Sequence, residues 1–167
     1  MALPLVDKDD FTGELSIAVN QYNSEALDEI IADANQEKYI KMLLGAELGD
    51  LFIADLVAGE PQTARFIDLN SPKTFELNGC VIHFDGIKKD VLRALYFDWT
   101  SQQAVLNLSS GNSTVMSEAA TPDNHMKSTL TWNRIVSDND ALSCYIKQNS
   151  ATYSEYKYQA LYPLTIL

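Results

Sequence analysis

The sequence is short of basic residues. Its 167 residues include 12 Lys and Arg against 23 Asp and Glu, a formal net charge of −11, and no cluster of five basic positions. Affinity for nucleic acid comes largely from Lys and Arg that neutralise phosphates. The composition therefore argues against binding of free DNA or RNA. An acidic surface fits an ordinary soluble protein equally well, or one that must let DNA pass without sticking to it.

Cysteine and histidine are also scarce, with two of each. Cys80 and Cys144 cannot build a disulfide scaffold, and in a reducing compartment each is expected to behave as a small buried hydrophobe. Cys80 and His83 have the spacing of metal ligands, but residues three apart on a strand point to opposite faces. His125 and Cys144 are far apart on a predicted helix. The sequence predicts no metal site and no cofactor.

Long apolar runs and catalytic motifs are missing as well. Without a run of about 18 apolar residues, no membrane span is expected. The acidic Asp7, Asp9 and Asp10 replace the basic region of a secretory signal, which predicts a protein that stays inside the cell that makes it. The glycines of 44–49 lack the Lys of a phosphate-binding loop, and neither histidine lies in a nucleophile motif. We therefore expect no enzymatic activity.

A hydrophobic share of 46% supports one core, because a second domain would leave too little apolar surface for either. The predicted fold class is mainly α: a small helical bundle with an inserted β-hairpin and extended N- and C-terminal arms. We divide the chain into an N-terminal arm at 1–23, a helical domain at 24–148 with a hairpin at 74–84 and a loop at 107–121, and a C-terminal interaction tail at 149–167.

The helical domain is predicted to open with one helix, from the N-cap Ser24 to the terminating Gly45. The two halves of this helix place apolar residues on different faces, which predicts either a bend near Asn35–Gln36 or contacts on two sides. A second helix is predicted over Ala46–Val57. Gly59 ends it.

The strongest local signal is a β-hairpin. Asn78-Gly79 supplies the two positive φ angles of a type I′ turn, and the runs 75–77 and 80–84 suit paired strands. A hairpin is therefore predicted between the second helix and the later helices.

The long central helix is predicted from about Ile87 to Val105, because apolar residues recur there at helical spacing. Its opposite, polar side carries Lys88, Lys89, Asp90 and Arg93. After the polar loop, Pro122 opens the last long helix, which has a weak spot at 137–140.

Both arms contain more apolar residues than segments outside a core usually do. In the N-terminal arm Leu15 and Ile17 alternate as in a short strand, and this arm either packs back on the core or lies on a partner. The tail is rich in tyrosine, which suits interfaces because it has little rotamer entropy to lose. The residues proposed for an interface are Asn78 and Gly79 of the hairpin and Tyr153, Tyr156, Tyr158, Tyr162, Leu164 and Leu167 of the tail.

In order and spacing these elements resemble the head–tail connector (adaptor or ring) proteins of tailed bacteriophages, closest to those of phages that infect Bacteroides and relatives, the crAss-like group included. The resemblance covers roughly residues 20 to 150. It rests on the opening helix with its Leu-Leu-Gly break at 43–45, the hairpin at 75–84, the aromatic helix at 84–97, and the polar linker at 111–124 before the helix with Trp132-Asn133-Arg134.

The resemblance implies a structural subunit of a homo-oligomeric ring, a dodecamer, beneath the portal protein. The ring would extend the portal channel, pass packaged DNA without sequence-specific binding, and dock the tail or the next ring. The location would be the head–tail interface of the virion, after synthesis in the host bacterial cytoplasm, with no membrane contact. A heterologous ring needs two different patches per subunit, which we expect on the opening helix and on the helix from Ile87. The hairpin, the loop and the tail would reach to adjacent rings.

Three alternatives stay open. A small-molecule-binding or enzymatic accessory domain would use a pocket near His83 or the carboxylates of the first helix. An adaptor or scaffolding protein would act as a monomer or dimer. An acidic DNA mimic would need carboxylates at phosphate spacing on one face, whereas those of this chain are spread along it.

Overall fold

A computed structural model describes residues 4–17, 24–109 and 121–164. Within these residues the protein is mainly helical with two small antiparallel sheets, which confirms the predicted helical bundle with an inserted hairpin. The helices are α1 (Ser24–Ile30), α2 (Asp33–Leu44), α3 (Ala46–Asp55), α4 (Ala64–Asn70), α5 (Ile87–Ser109) and α6 (Thr121–Gln148). The strands are β1 (Leu56–Val57), β2 (Glu60–Pro61), β3 (Lys73–Leu77) and β4 (Cys80–Phe84).

The core is built around α5. Ile87, Val91 and Leu95 of its apolar stripe are fully buried, and α5 packs against α6, α2 and α1. Complete burial of one such aliphatic side chain contributes about 1.5–3 kcal/mol. The central helix predicted from Ile87 is confirmed, although it continues to Ser109 and does not end at Val105.

The predicted opening helix is in fact two helices. The break between α1 and α2 lies at 31–32, a few residues before the bend expected near Asn35–Gln36. Asn35 explains this position, because its Nδ2 donates to the carbonyl oxygens of Glu29 and Ile30 at 3.0 and 3.1 Å. The last carbonyls of a helix need partners from outside the helix. The side chain of Asn35 therefore closes the C-terminus of α1.

A second hairpin and a short helix occupy 56–70, where the sequence predicted only the end of a helix and a break. The first of these strands, β1, pairs with β2 across a two-residue turn. The carboxylate of Asp55 holds the entry to α4 by accepting the N–H groups of Gln62 and Thr63 at 2.7 and 2.8 Å. Helix α4 has only 7 residues, too few to reveal a helical period in the sequence.

The predicted β3–β4 hairpin is confirmed. Its register pairs Leu77 with Cys80, and the turn residues Asn78 and Gly79 have φ angles of 51° and 80°, as a type I′ turn requires. The hairpin lies on α6, where the ring centroids of Phe75 and Tyr145 are 5.4 Å apart.

Helix α6 runs without a break through 137–140, where a weak spot was predicted. Asp138 and Asn139 are buried there, and each bonds to another part of the chain, Asp138 to Arg93 of α5 and Asn139 to the tail. Tertiary contacts thus outweigh low helix propensity. Of the predicted loop at 107–121, residues 107–109 end α5 and Thr121 begins α6, while 110–120 lie outside the described residues.

The described part of the N-terminal arm packs back on the core. Two 3₁₀ turns, at Lys8–Asp10 and Gly13–Leu15, take the place of the short strand predicted from Leu15 and Ile17, which is wrong. Gln36 of α2 holds the arm, since its side chain donates to the carbonyl oxygen of Val6 and accepts the Val6 N–H, both at 2.9 Å. The buried side chains of the arm are Leu5, Val6, Phe11 and Leu15.

Candidate interaction surface

The C-terminal tail lies along α6, which holds it by its backbone. The side chain of Asn133 donates to the carbonyl oxygen of Leu164 at 3.0 Å and accepts the Leu164 N–H at 2.7 Å. Trp132 Nε1 donates to the carbonyl oxygen of Tyr162 at 2.9 Å. Side chains of the helix thus satisfy backbone groups that an extended segment would otherwise pair with a neighbouring strand.

The same tail turns apolar side chains outward. Tyr162 is 76% exposed, Tyr158 46% and Leu164 42%. Two apolar residues of α6 are similarly open, Leu130 at 54% and Met126 at 47%. We call these five residues the tail strip. Single exposed apolar residues are ordinary, whereas several of them along the tail and the helix that holds it make this face a candidate interaction site.

Tyr153 does not belong to this surface, which corrects its assignment to an interface. It is 3% exposed, and its hydroxyl lies 2.9 Å from the Asp68 carboxylate and 3.0 Å from the carbonyl oxygen of Arg65. Asp68 also accepts from the Tyr145 hydroxyl at 2.5 Å and from Lys73 Nζ at 2.8 Å. Tyr153 is therefore the intramolecular anchor that fixes the base of the tail.

Hydrogen bonds set the protonation of this anchor. The pKa of Asp68 is lowered, because the bonds from Lys73, Tyr145 and Tyr153 outweigh the opposing effect of burial. Burial and the bond to Asp68 raise the pKa of Tyr145 to about 12. Asp68 is thus a carboxylate that binds neutral tyrosines, and it joins α4, β3, α6 and the tail.

The remaining predicted interface residues lie in several places. Tyr156 is half-buried against the core, and burial raises its pKa to about 12. Asn78 and Gly79 are exposed at the hairpin tip. The hairpin reaches α6 at Gln148, 15 residues from Asn133, or about 22 Å at a rise of 1.5 Å per residue. The hairpin contact is therefore distant from Tyr162 and Leu164 but close to Tyr158, whose ring centroid lies 5.2 Å from Lys147 Nζ. Leu167 lies outside the described residues.

A buried charge cluster was missed by the sequence analysis, which placed Asp90 and Arg93 on the polar side of α5. The Arg93 side chain is 1% exposed and that of Asp90 is 0% exposed. The Arg93 guanidinium donates to Asp90 at 2.9 Å, to Asp138 of α6 at 2.5 Å, and to Asp85, which precedes α5. The only sequence signal was the i, i+3 spacing of Asp90 and Arg93.

The three carboxylates of the cluster differ in protonation. The hydrogen bond from Arg93 lowers the pKa of Asp85. Burial, followed by repulsion from Asp138, raises the pKa of Asp90 well above its ordinary value. Burial also raises the pKa of Asp138. The cluster thus ties α5 to α6 through one guanidinium and carboxyl groups of unequal acidity.

A shallow groove of about 470 Å³ lies between β4 and α6 and includes His83. His83 Nδ1 is 2.8 Å from the Thr74 hydroxyl, and Asp138 reaches the groove from the buried cluster. Among residues 4–17, 24–109 and 121–164, no three His, Cys, Asp or Glu side chains are grouped so that they could hold a metal ion. The other groove residues are Val81, Ile82, Arg134, Ser137, Asp140, Ala141 and Cys144.

Comparison with known protein families, with curated proteins and with solved structures finds no match to this chain. No helix in the described part of the chain is long and apolar enough to cross a membrane. The function is therefore inferred from the surfaces of the molecule itself.

Proposed function

We propose that this chain is a structural, non-enzymatic subunit of a tailed-bacteriophage head–tail connector ring, which extends the portal channel and docks the tail. The observation that carries the proposal is the tail strip, an apolar surface that α6 and the tail build together and leave open. The helical bundle with a hairpin before its central helix agrees with the resemblance. The partners are copies of the chain in a dodecameric ring, the portal protein, and tail or next-ring proteins of the virion.

The energetics of the tail support an assembly role. Ordering residues 157–164 costs about 1–2 kcal/mol per residue in backbone entropy, whereas each hydrogen bond from α6 contributes about 0.5–1.5 kcal/mol. Of these residues, Leu161 packs against the core, while Tyr162 and Leu164 stay exposed. A partner that covers these two side chains stabilises the ordered tail by about 25 cal/mol for each Å² of apolar surface that it buries.

A closed ring needs a second, different patch on each subunit. Leu51 of α3, Val57 of β1 and Ile67 of α4 are 39%, 61% and 47% exposed, within the stretch of chain that runs from α3 to α4. The opening helices and α5, where the sequence suggested the patches, bury their main apolar residues in the core. In our proposal the tail strip of one subunit therefore packs on the Leu51, Val57 and Ile67 patch of the next.

The charge of the chain supports passage of DNA. A net charge of −11 per subunit repels phosphates, so packaged DNA passes through the lumen without sequence-specific binding. Subunits of like charge also repel one another, which favours apolar contacts as the source of ring affinity.

The test is the mass of the purified protein in solution, by light scattering, alone and with portal protein. The wild type is expected to form a ring, or to join one when portal protein is present. The double substitution Tyr162→Ser and Leu164→Ser should stay monomeric at the same concentration with unchanged helix content. Val81→Ser, at a 65% exposed hairpin residue that is not part of the tail strip, should assemble like the wild type.

Two results would contradict the proposal: a wild-type monomer indifferent to every virion component, or a double variant that assembles normally. The first of these results would favour the second candidate function, a small-molecule-binding or enzymatic accessory domain. The groove of about 470 Å³ beside His83 is the observation behind that candidate, because ligand sites are usually clefts of about 300–1,000 Å³.

A further inference from the structure

We propose that Asp90 and Asp138 share a single proton inside the joint between α5 and α6, and that this proton keeps the joint closed. The proposal concerns groups that the tail strip does not use and is independent of ring assembly.

Geometry identifies Asp90 as the proton carrier. Its side chain is 0% exposed, and one carboxyl oxygen, Oδ1, accepts from Arg93. Its other oxygen, Oδ2, is buried and has no hydrogen-bond partner among the described residues. A buried carboxylate with an unpaired oxygen is costly, whereas a protonated oxygen becomes a donor. The acceptor is Asp138, which meets the same Arg93 nitrogen from α6 at 2.5 Å.

The balance of charge around Asp90 and Asp138 also favours one bound proton. The groups that face the pair are Arg93 on α5, Asp85 before α5, and Arg134 on α6, with Lys89 of α5 acting on Asp85 from outside the buried cluster. Three ionised carboxylates around one buried guanidinium would leave two negative charges in excess. Arg134 compensates little, because its side chain is 56% exposed and lies 3.7 Å from Asp85. One proton on Asp90 removes the charge that has no access to water.

The proton makes the joint sensitive to pH in a defined direction. The folded pKa of Asp90 is raised above the ordinary carboxyl value of 3.8, first by burial and then by Asp138. A group of this kind stabilises the fold fully below its unfolded pKa, and the contribution is lost as pH rises toward the folded pKa. Asp138, whose pKa is raised by burial, acts in the same direction. Asp85 has a lowered pKa and acts in the opposite one.

The experiment is carbon-detected NMR of the aspartate carboxyl groups in the full chain, with thermal unfolding across pH. In the wild type, the Asp90 carboxyl is expected to be neutral at about pH 6 and to titrate at lower pH in Asp138→Asn. The isosteric Asp90→Asn keeps a neutral side chain at every pH. The Tm of this variant should therefore fall less with rising pH than the Tm of the wild type, because the contribution of Asp90 is gone. Asp33→Asn, on the exposed side of α2, should keep the wild-type slope.

An ionised Asp90 carboxyl at pH 6 in the wild-type protein would overturn the proposal without any variant. So would an Asp90→Asn protein with the full wild-type dependence of Tm on pH. Neutral Asp90 together with a flattened slope supports it.

Discussion

Arg93 is the single residue on which the joint between α5 and α6 most depends. Its side chain is 1% exposed, and its guanidinium binds a carboxyl group from each of the two helices. Arg93→Met fills a similar volume but leaves buried carboxylates unpaired, so we expect a loss of about 3–5 kcal/mol in the free energy of unfolding. Urea denaturation at neutral pH measures this loss.

The matched control is Arg134→Met, which removes a guanidinium that is 56% exposed and lies 3.7 Å from Asp85. Exposed ion pairs contribute about 0–1 kcal/mol, so the control should lose at most that amount. Equal losses in the two variants would show that the burial of Arg93 has no energetic consequence.

The sequence could not assign Arg93 to the interior. On a helical wheel it falls among Lys88, Lys89 and Asp90, and solvent is the ordinary surrounding of such a group. Its position depends on Asp138, 45 residues further along the chain, and long-range pairing is invisible to local periodicity. Tyr153 was missed for the same reason, because its partner Asp68 lies on α4, a helix that the sequence did not reveal.

At the scale of elements, the two hairpin turns offer a matched pair of glycines. Gly59 and Gly79 have φ angles of 77° and 80°, where a side chain costs about 1–2 kcal/mol. A Cβ on Gly59 would lie 2.5 Å from the carbonyl oxygen of Pro4, whereas one on Gly79 would meet nothing within 4 Å in the described part of the chain. Gly59 is buried and Gly79 is exposed, and the contact that separates the two substitutions is the one with the N-terminal arm.

We therefore expect Gly79→Ala to lose about 1–2 kcal/mol and Gly59→Ala to lose about 1–3 kcal/mol more, the usual cost of overpacking. Urea denaturation gives both values. Hydrogen exchange of residues 5–11 should rise in the Gly59 variant alone. If the arm stays equally protected in both variants, the close approach of Pro4 has no role in holding it.

The elements differ in how far their own residues determine their conformation, and so in how well the sequence predicted them. Asn78-Gly79 encodes its turn without outside help, so the β3–β4 hairpin was predictable. The long stripe of α5 was predictable because a period becomes clear over several turns. The break between α1 and α2 depends on Asn35, whose amide favours a helix cap over a continuous helix. The sequence placed a bend at that residue, but the break lies at 31–32, directly after the carbonyl groups that its side chain binds.

For the whole molecule, the described parts of the two arms, residues 4–17 and 149–164, belong to the folded body. Composition indicated that they were apolar, but it could not say which side of the tail faces inward. The structure places the backbone against Asn133 and Trp132, and the rings of Tyr158 and Tyr162 outward. The N-terminal arm has the same arrangement at Gln36, which binds the backbone of Val6. Amide side chains that bind backbone groups leave the arm side chains free for other contacts.

Two truncations separate the anchoring of the tail from its exposed surface. A chain that ends at Tyr156 keeps Tyr153 and its bonds to Asp68, so its free energy of unfolding should fall by only about 1–2 kcal/mol, with the loss of Leu161 packing. A chain that ends at Asn149 also loses Tyr153, a buried aromatic residue, at a cost of about 3–5 kcal/mol. Both should lose ring assembly, because both lack Tyr162 and Leu164. Urea denaturation and light scattering on the two proteins give the comparison.

Normal assembly by the chain that ends at Tyr156 would mean that the tail strip is not the subunit contact. Equal stability of the two chains would mean that Tyr153 does not anchor the tail.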